Sequence, residues 1–156
     1  MTSRTTPKTI LLGGTPRHEE APAASANITP GMLLAKTSTG AVRPHNVAGG
    51  PSRLVAREAD LVGGSIDDVY EYATADRVLF YHAQPGDRFY MLLEAGANVA
   101  IGAHLESNGA GALQAVTAPS ETEGVVSTFG GTPIFRALEA VNNGGGDPVR
   151  IKVEAI

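Results

Sequence analysis

Two runs of the chain carry apolar side chains at both alternating sets of positions, Arg77–His82 (RVLFYH) and Arg88–Leu93 (RFYMLL). A strand wet on one face alternates apolar with polar, so a run that is apolar on both sets predicts a central strand covered on both sides. Between them Ala83-Gln84-Pro85-Gly86-Asp87 has the residues of a tight turn, which predicts a hairpin. The run 149–156 (VRIKVEAI) alternates apolar and polar as far as Ala155 after Gly144-Gly145-Gly146-Asp147-Pro148 and predicts a strand with one wet face. Three shorter runs, 98–101, 104–106 and 112–116, are separated by Gly102 and by Ser107-Asn108-Gly109, the spacing of short strands in a small barrel or sandwich. The fold class read from this pattern is all-β.

One segment fits the pattern poorly. In 133–143 (PIFRALEAVNN), Ile134, Leu138 and Val141 fall at helical spacing, with Thr132 as a candidate N-cap and Pro133 at the first helical position. Local spacing alone favours a short helix there. Residues 1–27 differ in kind: they hold no aromatic side chain, one apolar cluster at Ile10-Leu11-Leu12, and otherwise mostly Pro, Ala, Gly, charged and small polar residues. Such a segment cannot bury enough of itself to offset the entropy of ordering. It reads either as a disordered tail or as an arm whose strand-forming stretch 8–12 could add to the sheet edge of another protein. The domain organisation expected is a flexible N-terminal arm, 1–27, followed by an all-β domain, 28–156.

Composition narrows the function. At 156 residues the length suits one domain. The four Tyr and four Phe, with no Trp, all lie at or beyond Tyr70, so the core is expected there and should not need the first twenty residues. A net charge of −4, with the twelve Lys and Arg scattered, argues against nucleic-acid binding. There is no cysteine, which excludes disulfides and thiolate chemistry. No apolar run reaches the length that spans a membrane or forms a signal peptide, so synthesis in a cytoplasm and no membrane partner are expected.

Nothing in the chain reads as catalytic. His18-Glu19-Glu20 sets three metal-ligating types side by side, but in a mobile segment nothing fixes their geometry. His82 and His104 fall in predicted strands and read as structural. Asp67-Asp68 with Glu71 reads as a turn or a helix start bearing acidic residues, rather than a catalytic pair. Gly63-Gly64-Ser65 lacks the frame of a nucleophile elbow. A swinging-arm carrier domain would need a lysine at a hairpin tip near 96–116, and the only lysines are Lys8, Lys36 and Lys152. No catalytic, metal or cofactor residue is assigned.

The order of certain segments adds a further indication. TILLGGTPRHEE at 9–20, ITPGML at 28–33, GAVRPH at 40–45, LVARE at 54–58, DRV at 76–78, QPGD at 84–87, 96–105 and the closing 149–154 together resemble the capsid decoration, or cement, proteins of tailed bacteriophages. Each piece is short, and the resemblance lies in their sequence along nearly the whole chain. It implies a small β-barrel or β-tulip domain with an extended N-terminal arm. The family is typically trimeric and bound to the outer surface of the assembled major capsid protein, which it stabilises. By the same resemblance 134–140 shifts from helix to strand. The capsid-binding arm would comprise Thr9, Ile10, Leu11, Leu12, Pro16, Arg17, His18, Glu19 and Glu20. The protein would work in the virion after synthesis in the host cytoplasm. A head-fibre or host-attachment component is the alternative from the same setting.

Overall fold

Three pairs of adjacent apolar residues, Leu33-Leu34, Val55-Ala56 and Phe80-Tyr81, set the architecture, because neighbouring side chains on a strand point to opposite faces. In the computed structural model, which describes residues 6–70, 76–116 and 131–156, every pair is split between two hydrophobic cores. Leu33, Val55 and Tyr81 belong to a large core, while Leu34, Ala56 and Phe80 belong to a small one.

The described residues form thirteen strands: β1 (Leu11–Gly13), β2 (Arg17–Pro22), β3 (Leu33–Lys36), β4 (Val42–Pro44), β5 (Leu54–Ala56), β6 (Arg77–His82), β7 (Arg88–Leu93), β8 (Asn98–Val99), β9 (His104–Ser107), β10 (Leu113–Ala115), β11 (Phe135–Ala137), β12 (Val141–Asn142) and β13 (Val149–Ala155). A single 3₁₀ turn spans Asp60–Val62, and no α-helix occurs among the described residues. The protein is all-β, as its pattern predicts.

One sheet runs β1-β7-β10-β9-β11-β13, and β13 pairs back onto β7, so five of its strands close into a barrel with β1 as an additional strand on β7. Phe89, Met91, Leu93, Leu105, Leu113, Phe135, Ile151 and Val153 contribute to its core. The second sheet runs β2-β6-β5-β3-β4, and just past β2 the chain bridges from Ala23 to Val42 of β4, which curls this sheet round the small core. Strand β13 has the expected wet face, with Ile151, Val153 and Ala155 buried and Arg150, Lys152 and Glu154 partly exposed between them.

Two expectations about local structure meet different outcomes. Residues 135–137 form a strand, paired on one side with β9 and on the other with β13, so that Phe135 and Ala137 point inward and Arg136 outward. Two flanking strands supply hydrogen bonds that weak helical spacing cannot match. The hairpin between β6 and β7 is corrected: the two strands belong to different sheets, β6 lying between β2 and β5 and β7 pairing with β1, β10 and β13. The connecting residues do form the expected turn, with Asp87 N bonding Gln84 O at 3.0 Å and Gly86 at φ 94°. It is a corner from one barrel to the other.

Of the arm expected at 1–27, the described part, 6–27, is built into the sheets rather than standing apart from them. Six residue pairs join β2 to β6, from Arg17 opposite His82 to Pro22 opposite Arg77, and β1 lies on β7 with Leu11 opposite Phe89. Ile10, fully buried, packs in the large core, and Ala21 and Ala23 line the small one. Counting the segment's own apolar content misses this, since its order comes from surface that other strands present to it. The small alanines fit a narrow barrel that larger side chains would overfill.

The two barrels are joined by buried polar contacts as well as by the shared strands. The buried carboxylate of Asp87 accepts the amides of Gln84 at 2.9 Å and Thr15 at 3.1 Å, tying the β1–β2 connection to the corner. Gly14, at φ 98°, lies so close to Asp87 that a side chain there would collide with the carboxylate. On the other side His45 is buried, its Nδ1 2.7 Å from the Ser107 hydroxyl. That hydroxyl also accepts the Gly109 amide at 3.1 Å. Backbone bonds from Leu33 N to Gly111 O and from Gly111 N to His45 O complete the link.

Truncating Phe80 to Ala should destabilise the protein through the small core and Phe89 to Ala through the large one, each by about 3–5 kcal/mol. Denaturant melts read this directly, and a wild-type midpoint for either variant would overturn its placement. A pH series tests the His45 link. Burial and the nearby Arg43 cation push the His45 pKa below its ordinary 6.5. The unfolded chain therefore binds the proton more readily, so this contribution is complete above pH 6.5 and is lost as pH falls below it. Glu154, held below 4.5 by Arg88 and then Arg136, adds a separate loss at lower pH. His45→Gln should flatten the first loss and leave the second; an unchanged profile would show that His45 carries none of it.

Candidate attachment surface

The nine residues that the resemblance assigns to a capsid-binding arm divide sharply. Ile10 is inaccessible: its amide donates to the buried Glu58 carboxylate at 3.1 Å and its carbonyl accepts the Tyr90 amide at 2.8 Å. Leu11 and Leu12 are half-buried, Pro16 is buried, and Thr9 is exposed, with its hydroxyl bonded to the Leu11 carbonyl at 3.1 Å. A peptide adding to a partner's sheet needs its amides and carbonyls free. Ile10 has committed both its amide and its carbonyl to this fold, and β1 already lies along β7, so the stretch is held in the protein's own sheet.

Arg17, His18, Glu19 and Glu20 lie instead on β2, at the surface of the small barrel. Glu19 sits at the barrel mouth, where it accepts hydrogen bonds from Lys36 Nζ and from His82 Nε2. The Nδ1 of His82 faces the Arg17 guanidinium at 3.3 Å, and the Lys36 ammonium lies 5.7 Å from the centre of the Phe80 ring. The Lys36 and then the His82 hydrogen bonds hold the Glu19 carboxyl below its ordinary pKa. This chain closes the open end of the small core with charge. On the other face of the strand His18 rests edge-on against Tyr81 and meets Arg57 at 3.1 Å, while Glu20 pairs with Arg77 at 3.2 Å.

His18-Glu19-Glu20 is therefore dispersed over both faces of one strand, and among the described residues no group of three metal-ligating side chains comes together. His82 takes part in the mouth network, and His104 stands exposed at the start of β9, opposite Arg136. Asp67 and Asp68 lie in a turn: Asp68 accepts the Ser65 amide at 2.7 Å, and Asp67 pairs with Arg150 at 3.2 Å. Glu71 lies outside the described residues. Gly63 ends the 3₁₀ turn in the left-handed conformation, and Gly64 and Ser65 continue as irregular chain.

What the sequence reading passed over is a set of large apolar side chains standing in water. Leu61 is 79 % and Val62 84 % exposed, with Ile101 at 71 % and Val47 at 57 %, and Val69 and Val149 are exposed to a lesser degree. Periodicity gives no warning of them, because an isolated Leu-Val pair before two glycines resembles a strand end as much as a surface loop. Exposed apolar groups that gather on one loop mark an interaction surface more often than scattered ones do. No protein-family model and no curated protein sequence matches the chain.

Replacing Ile10 by Pro separates a folded segment from an arm. The substitution removes the amide that caps Glu58 and leaves a buried carboxylate short of a donor. The variant should lose about 3 kcal/mol or more, and deletion of residues 1–20 should abolish cooperative melting altogether. Circular dichroism on heating measures both. A truncated protein that melts like the full chain would restore the arm.

Proposed function

We propose that the protein is a decoration protein of a tailed-bacteriophage capsid, a homotrimer that binds the outer surface of the assembled major capsid protein and stabilises the shell. The observation that carries this reading is the order of the segments 9–20, 28–33, 40–45, 54–58, 76–78, 84–87, 96–105 and 149–154 along the chain. Several of them meet in space: Glu58 accepts the Ile10 amide, and Asp87 accepts that of Thr15. The segments that carry the resemblance thus belong to one interlocked all-β body.

Stabilising a shell requires contact area rather than chemistry. A capsid repeats one surface many times, and a trimer can engage three copies with an avidity that a single weak contact lacks. Whatever binds the assembled shell better than its free subunits shifts assembly by mass action. In this reading the folded surface makes the attachment. Of the residues assigned to the arm, those with side chains at the surface are Thr9, Arg17, His18, Glu19 and Glu20, and the exposed loop residues extend the same kind of contact. No catalytic group, metal or cofactor takes part.

The test is cosedimentation of the purified protein with emptied, expanded heads of the phage that carries its gene, followed by heating. The protein should saturate the heads in multiples of three and raise the temperature at which they open. Heads that bind none of it and open at an unchanged temperature would overturn the proposal.

A further inference from the structure

The loop 59–69 carries a protrusion and, a few residues later, one wall of a recess. Leu61 and Val62, 79 % and 84 % exposed, form the protrusion on the 3₁₀ turn. The turn is held in place: Gly63 and Gly64 amides bond to Asp60 O and Ala59 O at 3.1 and 3.0 Å, and Arg57 grips Asp60 at 2.5 Å. Two aliphatic side chains are therefore presented to water on a fixed support, a costly arrangement with no role inside the fold.

The recess has a volume of about 340 Å³ and is lined by Pro7, Lys8, Ile66, Asp67, Tyr90 and Arg150, among others. Its shape is set by Arg150, whose guanidinium bonds the carbonyls of Pro30 and Ile66 and the carboxylate of Asp67. Ile66 and the Tyr90 ring give it an apolar lining, and exposed Lys8 stands at its rim. Asp60, half-exposed beside Leu61, gives Oδ1 to Arg57 and keeps Oδ2 at the base of the knob, while the recess is net positive, with Lys8 and Arg150 against Asp67.

We propose that Leu61 and Val62 of one copy of the chain seat in the Ile66, Tyr90 and Arg150 recess of a second copy, with Asp60 of the first facing Lys8 of the second. Knob and hole differ, so the contact is head to tail. Val62 and Ser65, which also lines the recess, are three residues apart, within about 11 Å of each other even in extended chain. A rotation axis beside this loop brings the knob of each copy to the hole of the next and closes a ring. That the ring has three members rests on the capsid-decoration reading; the contact itself rests on the loop and the recess.

The chain has no cysteine, so single thiols can be placed cleanly. Val62→Cys and Lys8→Cys, both at exposed positions, should each remain folded by circular dichroism. Mixed and oxidised, the two variants should form a disulfide-linked pair containing one chain of each kind, and either variant alone should form far less. Leu61→Asp should weaken self-association in sedimentation equilibrium by about a hundredfold, the expected effect of exposing a buried aliphatic contact to a charge. If the mixture does not cross-link and the wild-type chain sediments as a monomer at high concentration, the contact is overturned. Faster linking of Val62→Cys to itself would also overturn it, in favour of a knob-to-knob pair. Heads that bind a chain failing this test would leave the decoration reading standing, and a cross-linked ring that ignores heads would do the reverse.

Discussion

The rest of the molecule depends on one shared wall. Strands β3, β5 and β6 each give one face to the small core and the other to the large core, so neither barrel can be completed without the other. Adjacent residues such as Phe80 and Tyr81 therefore serve different interiors although their backbones are continuous. A one-residue slip in β6 would exchange the two, moving a phenyl ring and a phenol into spaces shaped for each other. The register is fixed from both sides, more firmly than in a sheet with one wet face. This explains how a chain with only eight aromatic side chains, some outside the described residues, holds two separate interiors.

Around that wall the polar groups carry out a second kind of joining. Glu58, Asp87 and His45 are all buried, and each reaches a group distant in sequence: Ile10, Thr15 and Ser107 respectively. A buried carboxylate tolerates little misalignment, because a lost donor leaves charge in a poor solvent. Such contacts add specificity where the apolar packing between two curved sheets would allow sliding. The Tyr70 phenol plays a related part. Its hydroxyl bonds the Arg57 carbonyl at 3.0 Å, and burial raises its pKa to about 12, so it remains a neutral donor.

Much of the fold was legible in the residues. The doubly apolar runs of β6 and β7, the alternation of β13 and the glycine-spaced strands between 96 and 116 all rest on local rules that the tertiary structure respects. The failures have one cause, which is that pairing partners are not written locally. RVLFYH and RFYMLL joined by Gln-Pro-Gly-Asp have every mark of a hairpin, yet nothing in the two runs says that their edges are taken by strands elsewhere. The N-terminal residues look unfoldable by composition because their stabilising surface is supplied by 77–82 and 88–93. The exposed Leu61 and Val62 were hidden for the opposite reason, since a sequence rule that takes apolar residues as buried cannot single out those that are not.

The pairing of Tyr90 with Lys152 also bears on how the molecule comes into being. On a ribosome β7 emerges long before β13, and until β13 arrives the large barrel is an open sheet with a row of unpaired amides and carbonyls along one side. Strand β2 likewise waits for β6, some sixty residues away. Most of the contacts between residues are long-range, so the nascent chain gains little by folding early and the structure forms late and as a unit. During that interval the exposed strand edges are most open to mispairing with other chains, which makes the rate of synthesis and the local concentration of nascent copies part of what the topology demands.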